Sequence, residues 1–366
     1  MMFTINRELL TAELAVLQAA AERKTTVPIL AFVLVRVSDG LAQLTATDYD
    51  VTITTQVEAK GDPYSGCIPI KQLSSLAKLF DSETIQFTEK PNQRIEIKAG
   101  TSKHLLATFP AKDFPEVESV EGQTVTVQSD VLAQMLKRTA FCAGQEGEGQ
   151  GFTFQCVNFE AENKMLTLVA TNSKQLGTMS AAIDSNAEFK ALIPVRAINA
   201  LERLCETVGT IEFTASPNSA RFQNGDRTLV ARLVVGNFPK WKLVLPQSLE
   251  HQTTIDPDKL SASVKRVCVT TREAKLIRHP LTLMFSKKKL EITSQSEEGE
   301  STDTVPVDCK SLNGTDFDIR VNGEHFINFI ARTEGQVSCA FGEDKRLIQL
   351  GVEGDDSYKY ITMALR

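Results

Sequence analysis

Cations recur in this sequence at places where a helix would gather them. Lys71 and Lys78 stand seven residues apart and so share one helical face, opposite Leu73, Leu76 and Phe80. Arg196 and Arg203 repeat that pair, with Glu202 as the one adjacent acid. Lys137 and Arg138 oppose the apolar stripe Leu132, Met135, Leu136 and Thr139. Lys265, Arg266 and Arg272 oppose Leu260, Val264, Val267 and Thr271. Lysine and arginine gathered in this way contact phosphates, which gives affinity without sequence preference. The net charge of −6 argues against nucleic-acid binding only if charge is spread evenly. Cationic helices that face one way make a basic wall even on an acidic chain.

Other residue types carry less chemistry. The seven cysteines are scattered, odd in number and without a C-x-x-C pair, as expected of reduced thiols in a cytoplasm and not of a zinc site. The four histidines (104, 251, 279, 325) lack metal-ligand spacing. The run from Ala143 to Gly151 is rich in glycine, but it has no Gly-Lys-Ser/Thr ending and carries Glu146 and Glu148, which repel phosphate. Asp48 and Asp50 suit a turn, with no acid/base partner. With no nucleophile motif, metal cluster or nucleotide fingerprint, the sequence predicts neither an enzyme nor a cofactor.

The elements that position these residues follow from periodicity. Asn6 is placed to cap a helix with Glu8 in its first turn, along which Leu10, Leu14, Leu17 and Ala21 form one stripe. Alternating segments follow at 29–37, 41–47 and 50–58, then an amphipathic helix to about Phe80 and strands near 84–89, 93–98 and 103–109. The order then replays. Ile68-Pro69-Ile70-Lys71 returns as Ile193-Pro194-Val195-Arg196, Ala46-Thr47-Asp48 as Ala170-Thr171-Asn172, and Phe114-Pro115 as Phe238-Pro239. A fainter third copy carries Leu260-x-x-x-Val264-Lys265-Arg266 where the second has Leu132-x-x-x-Leu136-Lys137-Arg138. Repeats of about 125 residues are whole domains, not solenoid units. The expected division is 1–121, 122–250 and 251–366, each copy with two helices and roughly eight strands. A hydrophobic content of 42% with 23% charge is ordinary for a soluble chain. No run of about 18 apolar residues suggests a membrane span, and the N-terminus does not read as a signal peptide.

This threefold plan resembles the beta subunit of bacterial DNA polymerase III, the sliding clamp. The resemblance runs the full length. It rests on Val27-Pro28-Ile29-Leu30, Ala46-Thr47-Asp48, the stretch Ala107 to Pro115, Val169-Ala170-Thr171, Phe238-Pro239 and the ending Tyr360 to Arg366. It implies an α+β fold of three tandem clamp domains, each with two helices packed on antiparallel sheets. It also implies a head-to-tail homodimer that closes as a ring around double-stranded DNA. The implied partners are the polymerase III subunits, the clamp loader and other proteins with a clamp-binding motif, in the bacterial cytoplasm at the nucleoid. By the same resemblance Lys24, Lys71, Lys78, Lys137, Arg138, Gln150, Arg196, Arg203, Lys265 and Arg266 face DNA.

The family binds partner peptides where the strand Leu166–Ala170 breaks into a polar turn. Carried over, that pocket uses Phe154, Thr171, Ser173, Lys174, Gln175 and Leu176, then Pro239, Leu243 and Val244. Asn322, His325 and Leu347 come from the third copy, with Met363, Ala364, Leu365 and Arg366 from the tail. Leu, Val, Met and Phe supply apolar walls and a few polar groups fix a short peptide. This chain departs from the pattern in two places. The family turn reads Thr-Asp-Gly-His-Arg-Leu where this one has Thr171-Asn172-Ser173-Lys174-Gln175-Leu176, and Met363-Ala364 replaces Met-Pro. A clamp-fold scaffold that no longer encircles DNA is the alternative. It is kept open by the acidic charge and by two helices without basic pairs: the first has Ala15-Val16, and the last has Asn322 and Phe329.

Overall fold

The structure is a computed structural model that describes residues 1–21, 26–145, 151–269, 279–296, 299–312 and 316–365. The fold is α+β. Among the described residues there are six α-helices: α1 (Arg7–Leu17), α2 (Ile70–Leu79), α3 (Ser129–Thr139), α4 (Val195–Cys205), α5 (Pro257–Cys268) and α6 (Gly323–Ile330). Their order is periodic. The strands Met2–Asn6, Gln123–Gln128 and His251–Ile255 each run into a helix, α1, α3 and α5. The strands Tyr64–Pro69, Phe189–Pro194 and Phe317–Asn322 run into α2, α4 and α6. No described helix is long and apolar enough to cross a membrane.

Capping explains several of these junctions. Asn6 accepts from the Glu8 and Leu9 amides at 2.9 and 3.2 Å, as expected, and Asp256 does the same for Asp258 and Lys259. α2 and α4 start from Pro69 and Pro194, which offer no side-chain cap.

The chain forms two compact units. The first comprises Met1–Ala133 and Ile183–Leu233. Its 13-stranded sheet runs from Gln123–Gln128 through Thr210–Ala215, Ser219–Asn224, Arg227–Arg232, Val51–Gly61, Met2–Asn6, Thr84–Lys90 and Arg94–Ala99 to Ser102–Ala107. All the registered pairs are antiparallel, and the strand Val51–Gly61 alternates buried and exposed positions with period two. Helix α1 buries Leu10, Leu14, Val16 and Leu17, and α2 buries Ile70, Leu73 and Ala77.

The second unit comprises Gln134–Ala182 and Val234–Arg366. In it the strands Cys156–Glu162, Met165–Thr171, Gln175–Ala182, Asp355–Met363, Leu347–Val352, Val337–Phe341 and His251–Ile255 pair in that order. A four-stranded sheet, ordered Gly299–Pro306, Lys289–Ser296, Pro280–Phe285 and Phe317–Asn322, lies in the same unit. Helix α5 buries Leu260, Val264 and Val267; Thr271 and Arg272 lie outside the described residues. All seven cysteines are buried thiols, none of them in a disulfide. Burial pushes the Cys156 and Cys205 thiols up to about 12, so they are poor nucleophiles.

Candidate functional site

The polar turn of the second unit joins Met165–Thr171 to Gln175–Ala182. Ser173 takes a positive φ of 68°, which reverses the chain. The Thr171 hydroxyl donates to the Gln175 carbonyl at 2.6 Å and accepts from the Ser173 amide at 3.1 Å. Asn172 Oδ1 accepts from the Lys174 and Gln175 amides at 3.1 and 3.0 Å. These side chains build the turn; they are not held out to a ligand. The first copy has the same construction: Thr47 accepts from Tyr49, and Asp48 from Asp50 and Val51.

Behind the turn lies a polar network. Gln175 is buried, its amide donating to the Phe141 carbonyl at 3.3 Å while its carbonyl accepts from the Tyr360 hydroxyl at 2.7 Å. The Tyr360 ring stacks on Phe141 at 5.6 Å. His325 Nδ1 lies 2.8 Å from Thr362 Oγ1. Burial, and then the Lys174 ammonium, pull the His325 imidazole down to about 4, so it is neutral at pH 7. Asn322 caps α6 by accepting from the Glu324 amide, and also accepts from the His279 amide. Its side chain is therefore committed to the fold.

Beside the turn lies the apolar part. Val169, Leu176, Trp241 and Ile361 form a buried cluster, with Phe238, Leu245, Leu347 and Met363 partly buried against it. The Trp241 indole donates to Glu160 at 3.3 Å, and Lys242 sits 5.6 Å above its face. The tail passes alongside: the Met363 amide donates to the Lys174 carbonyl, the Ala364 amide to Arg346 and the Leu365 amide to Arg320. Leu243 and Val244 stand exposed at 81% and 40%. Phe154 and Pro239 are half-buried, and Arg366 lies outside the described residues. An apolar floor with exposed apolar residues nearby and a few fixed polar groups suits a short peptide carrying large apolar side chains.

Val169, Trp241, Glu160, Tyr360 and Ile361 are central to this site but absent from the sequence-based set. The alternation of Tyr360 and Thr362 on the last strand, and Trp241 three residues after Phe238, were the available signals.

Known proteins share this plan. Residues 1–118 match the family model described as the DNA polymerase III beta subunit, N-terminal domain, and residues 126–240 match its central domain. The chain belongs to the DNA polymerase III beta subunit family. The beta sliding clamp of Pseudomonas putida is 26% identical over 374 residues, covering all of both chains. That of Caulobacter vibrioides is 27% identical over 382 residues, again covering all of both. The crystal structure of the DNA polymerase III subunit beta from Pseudomonas aeruginosa superposes with a TM-score of 0.92 at 25% identity, covering the whole of each chain.

In this beta-subunit chain the cations divide into two sets. Lys71, Lys78 and Lys265 are exposed and have no carboxylate partner among the described residues. The others have partners that the local sequence does not reveal. Arg196 pairs with Asp48, Lys137 with Glu334 at 3.6 Å, and Arg266 with Asp303. Arg203 donates to the Ala15 carbonyl at 2.9 Å. Arg138 corrects the helical-wheel expectation: it is only 5% exposed. Its guanidinium donates to Asp355 at 2.7 Å and lies 5.0 Å over the Tyr358 ring. Asp355 and Tyr358 come from the last strand, far along the chain, and together they draw Arg138 away from solvent. Lys24 and Gln150 lie outside the described residues.

Proposed function

We propose that the chain is a DNA sliding clamp. Two copies join head to tail and encircle duplex DNA, and each tethers polymerase III subunits, the clamp loader and other motif-bearing partners through the groove beside Leu176 and Trp241. The single observation that carries this is full-length similarity, in sequence and fold, to beta sliding clamps. The role is non-catalytic. Topological linkage gives processivity, and weak phosphate contacts allow sliding. The domains are 1–121, 122–250 and 251–366, and the protein works in the bacterial cytoplasm.

The edges of two sheets support the pairing. Ser102–Ala107 ends the sheet of the first unit with Leu105 exposed, and Gly299–Pro306 ends the four-stranded sheet of the second. Unpaired strand edges are templates for another chain, and different edges on the two partners make a heterologous contact that can close a ring.

The pocket set supported by geometry is Phe154, Lys174, Gln175, Leu176, Pro239, Leu243, Val244, His325, Leu347, Met363, Ala364 and Leu365. Thr171, Ser173 and Asn322 hold its frame. A Gln-Leu-x-Leu-Phe peptide titrated into the full chain should bind, and Leu176→Ala should weaken it by about 2 kcal/mol. No binding at high micromolar peptide contradicts the groove. One observation favours the second reading, a scaffold without DNA: Lys137, Arg138, Arg196 and Arg266 are already ion-paired. Lys71, Lys78 and Lys265 remain for phosphate, enough for contacts that are meant to be weak.

A further inference from the structure

The side of the groove that carries Leu243 and Val244 has little backbone to hold it. Between the strands Arg227–Arg232 and His251–Ile255 the one regular element is the 3₁₀ turn Trp241–Leu243. Its backbone hydrogen bonds are local: the Trp241 amide donates to Pro239 at 2.7 Å, Leu243 to Lys240 at 3.0 Å and Val244 to Trp241 at 2.9 Å. A segment bonded in this way to itself drifts from the body of the fold unless its side chains anchor it.

The Trp241 side chain supplies the anchor. Its ring is buried among Val169, Leu176 and Ile361, and its indole N–H donates to Glu160 Oε1 at 3.3 Å. Glu160 is only 6% exposed. It shares one face of the strand Cys156–Glu162 with Asn158, which lies directly opposite Val169. Asn158 is buried too. Its Nδ2 donates to the same carboxylate oxygen at 2.9 Å, and its own carbonyl oxygen has no hydrogen-bond partner among the described residues. Lys242, the next residue of the turn, brings its ammonium to 3.9 Å from the other Glu160 oxygen. An indole N–H needs only a neutral acceptor. A buried carboxylate costs stability unless it is paired, and Asn158 adds an orphaned oxygen to that cost. A strand that bears both beneath the groove gains something other than packing.

We propose that Glu160 is the positioning residue of the groove. One buried carboxylate takes the Trp241 indole and the Lys242 ammonium together, and so fixes where the turn holds Leu243 and Val244 for an incoming peptide. Two neighbouring residues tied to the two oxygens of one carboxylate set the tilt of the turn as well as its place. Glu162 also meets Lys242, at 3.5 Å, but both groups are more than half exposed and that pair adds little. Glu160 itself touches no peptide. The inference rests on the reading of this groove as the peptide site.

The test uses the full chain, a labelled Gln-Leu-x-Leu-Phe peptide and the emission of Trp241, the only tryptophan in the sequence. Glu160→Leu should weaken peptide binding about tenfold, the loss of a hydrogen bond to a charged group. It should also move the emission to longer wavelength as the ring meets water. Glu160→Gln keeps an acceptor for the indole and should recover most of the affinity. Trp241→Phe keeps an aromatic ring but removes the N–H. It should weaken binding in its turn, and adding Glu160→Leu to it should cost little more, because the two residues act as one unit. Phe285→Leu, in the core of the four-stranded sheet and outside the groove, lowers Tm by another route. It should leave affinity and emission as in the wild type. Equal weakening in Phe285→Leu, Glu160→Gln as weak as Glu160→Leu, or unchanged affinity in Glu160→Leu overturns the proposal. A wild-type chain that does not bind the peptide sinks the groove reading instead. In that case an emission shift in Glu160→Leu upholds the pin on the turn, and its absence overturns that as well.

Discussion

His325 shows how burial turns a titratable side chain into a structural one. Its imidazole is held at about 4, against an ordinary 6.5, by burial and then by Lys174. The unfolded chain therefore takes up a proton as pH falls through 6.5, while the folded chain does not until about 4. The stability due to the neutral imidazole is complete above pH 6.5 and is lost as pH falls towards 4, on the order of 3 kcal/mol in all. His325→Asn, which keeps a polar group near Thr362, should flatten this fall. Urea unfolding of both proteins at pH 7 and pH 5 checks it, and equal losses in the two would contradict it. The residue types of the groove were legible in the sequence because the turn and tail motifs fixed their positions. Their roles were less so. Thr171 and Asn322 read as polar groups offered to a ligand, yet each satisfies a backbone amide of its own fold. A short polar side chain next to a reversal meets local amides before it meets solvent.

At the scale of elements, period and capping predicted most of the architecture. Strand alternation at 41–47 and 50–58 corresponds to strands Leu41–Thr47 and Val51–Gly61, and the Asn6 cap lies where expected. A helical wheel, however, sees only its own helix. Arg138 opposes the apolar stripe of α3 but meets Asp355, 217 residues away, and becomes buried. The same limit hid the close packing at Gly177. A Cβ there would lie 2.8 Å from Cys142 Sγ, 3.1 Å from the Arg138 carbonyl and 3.3 Å from Thr139 Cα, in and just after α3. Gly177→Ala must therefore push the end of α3 away from the strand that carries Gln175 and Leu176. The expected cost is about 1–3 kcal/mol in stability, with weaker peptide binding in parallel. Thermal unfolding together with peptide titration checks this, and a variant with unchanged Tm and affinity would show that the contact yields freely.

At the scale of the whole molecule, the repeated motifs made three copies legible; the element order repeats three times, and the family models match the first two copies. What the sequence hid was the distribution of charge. Acids remote in sequence pair with several of the helix cations, so that of the lysines expected to face DNA only Lys71, Lys78 and Lys265 have no carboxylate partner among the described residues of a chain of net charge −6. Such a surface holds DNA weakly, so function must come from closure around the duplex and not from affinity. The most direct measurement is retention, after loading, on nicked circular DNA compared with the same DNA linearised, during gel filtration at about 0.15 M salt, where exposed charges are screened beyond roughly 8 Å. The account predicts that the protein co-elutes with circles and is lost from linear DNA as it slides off the ends. Equal retention on both, or release from both, would contradict it.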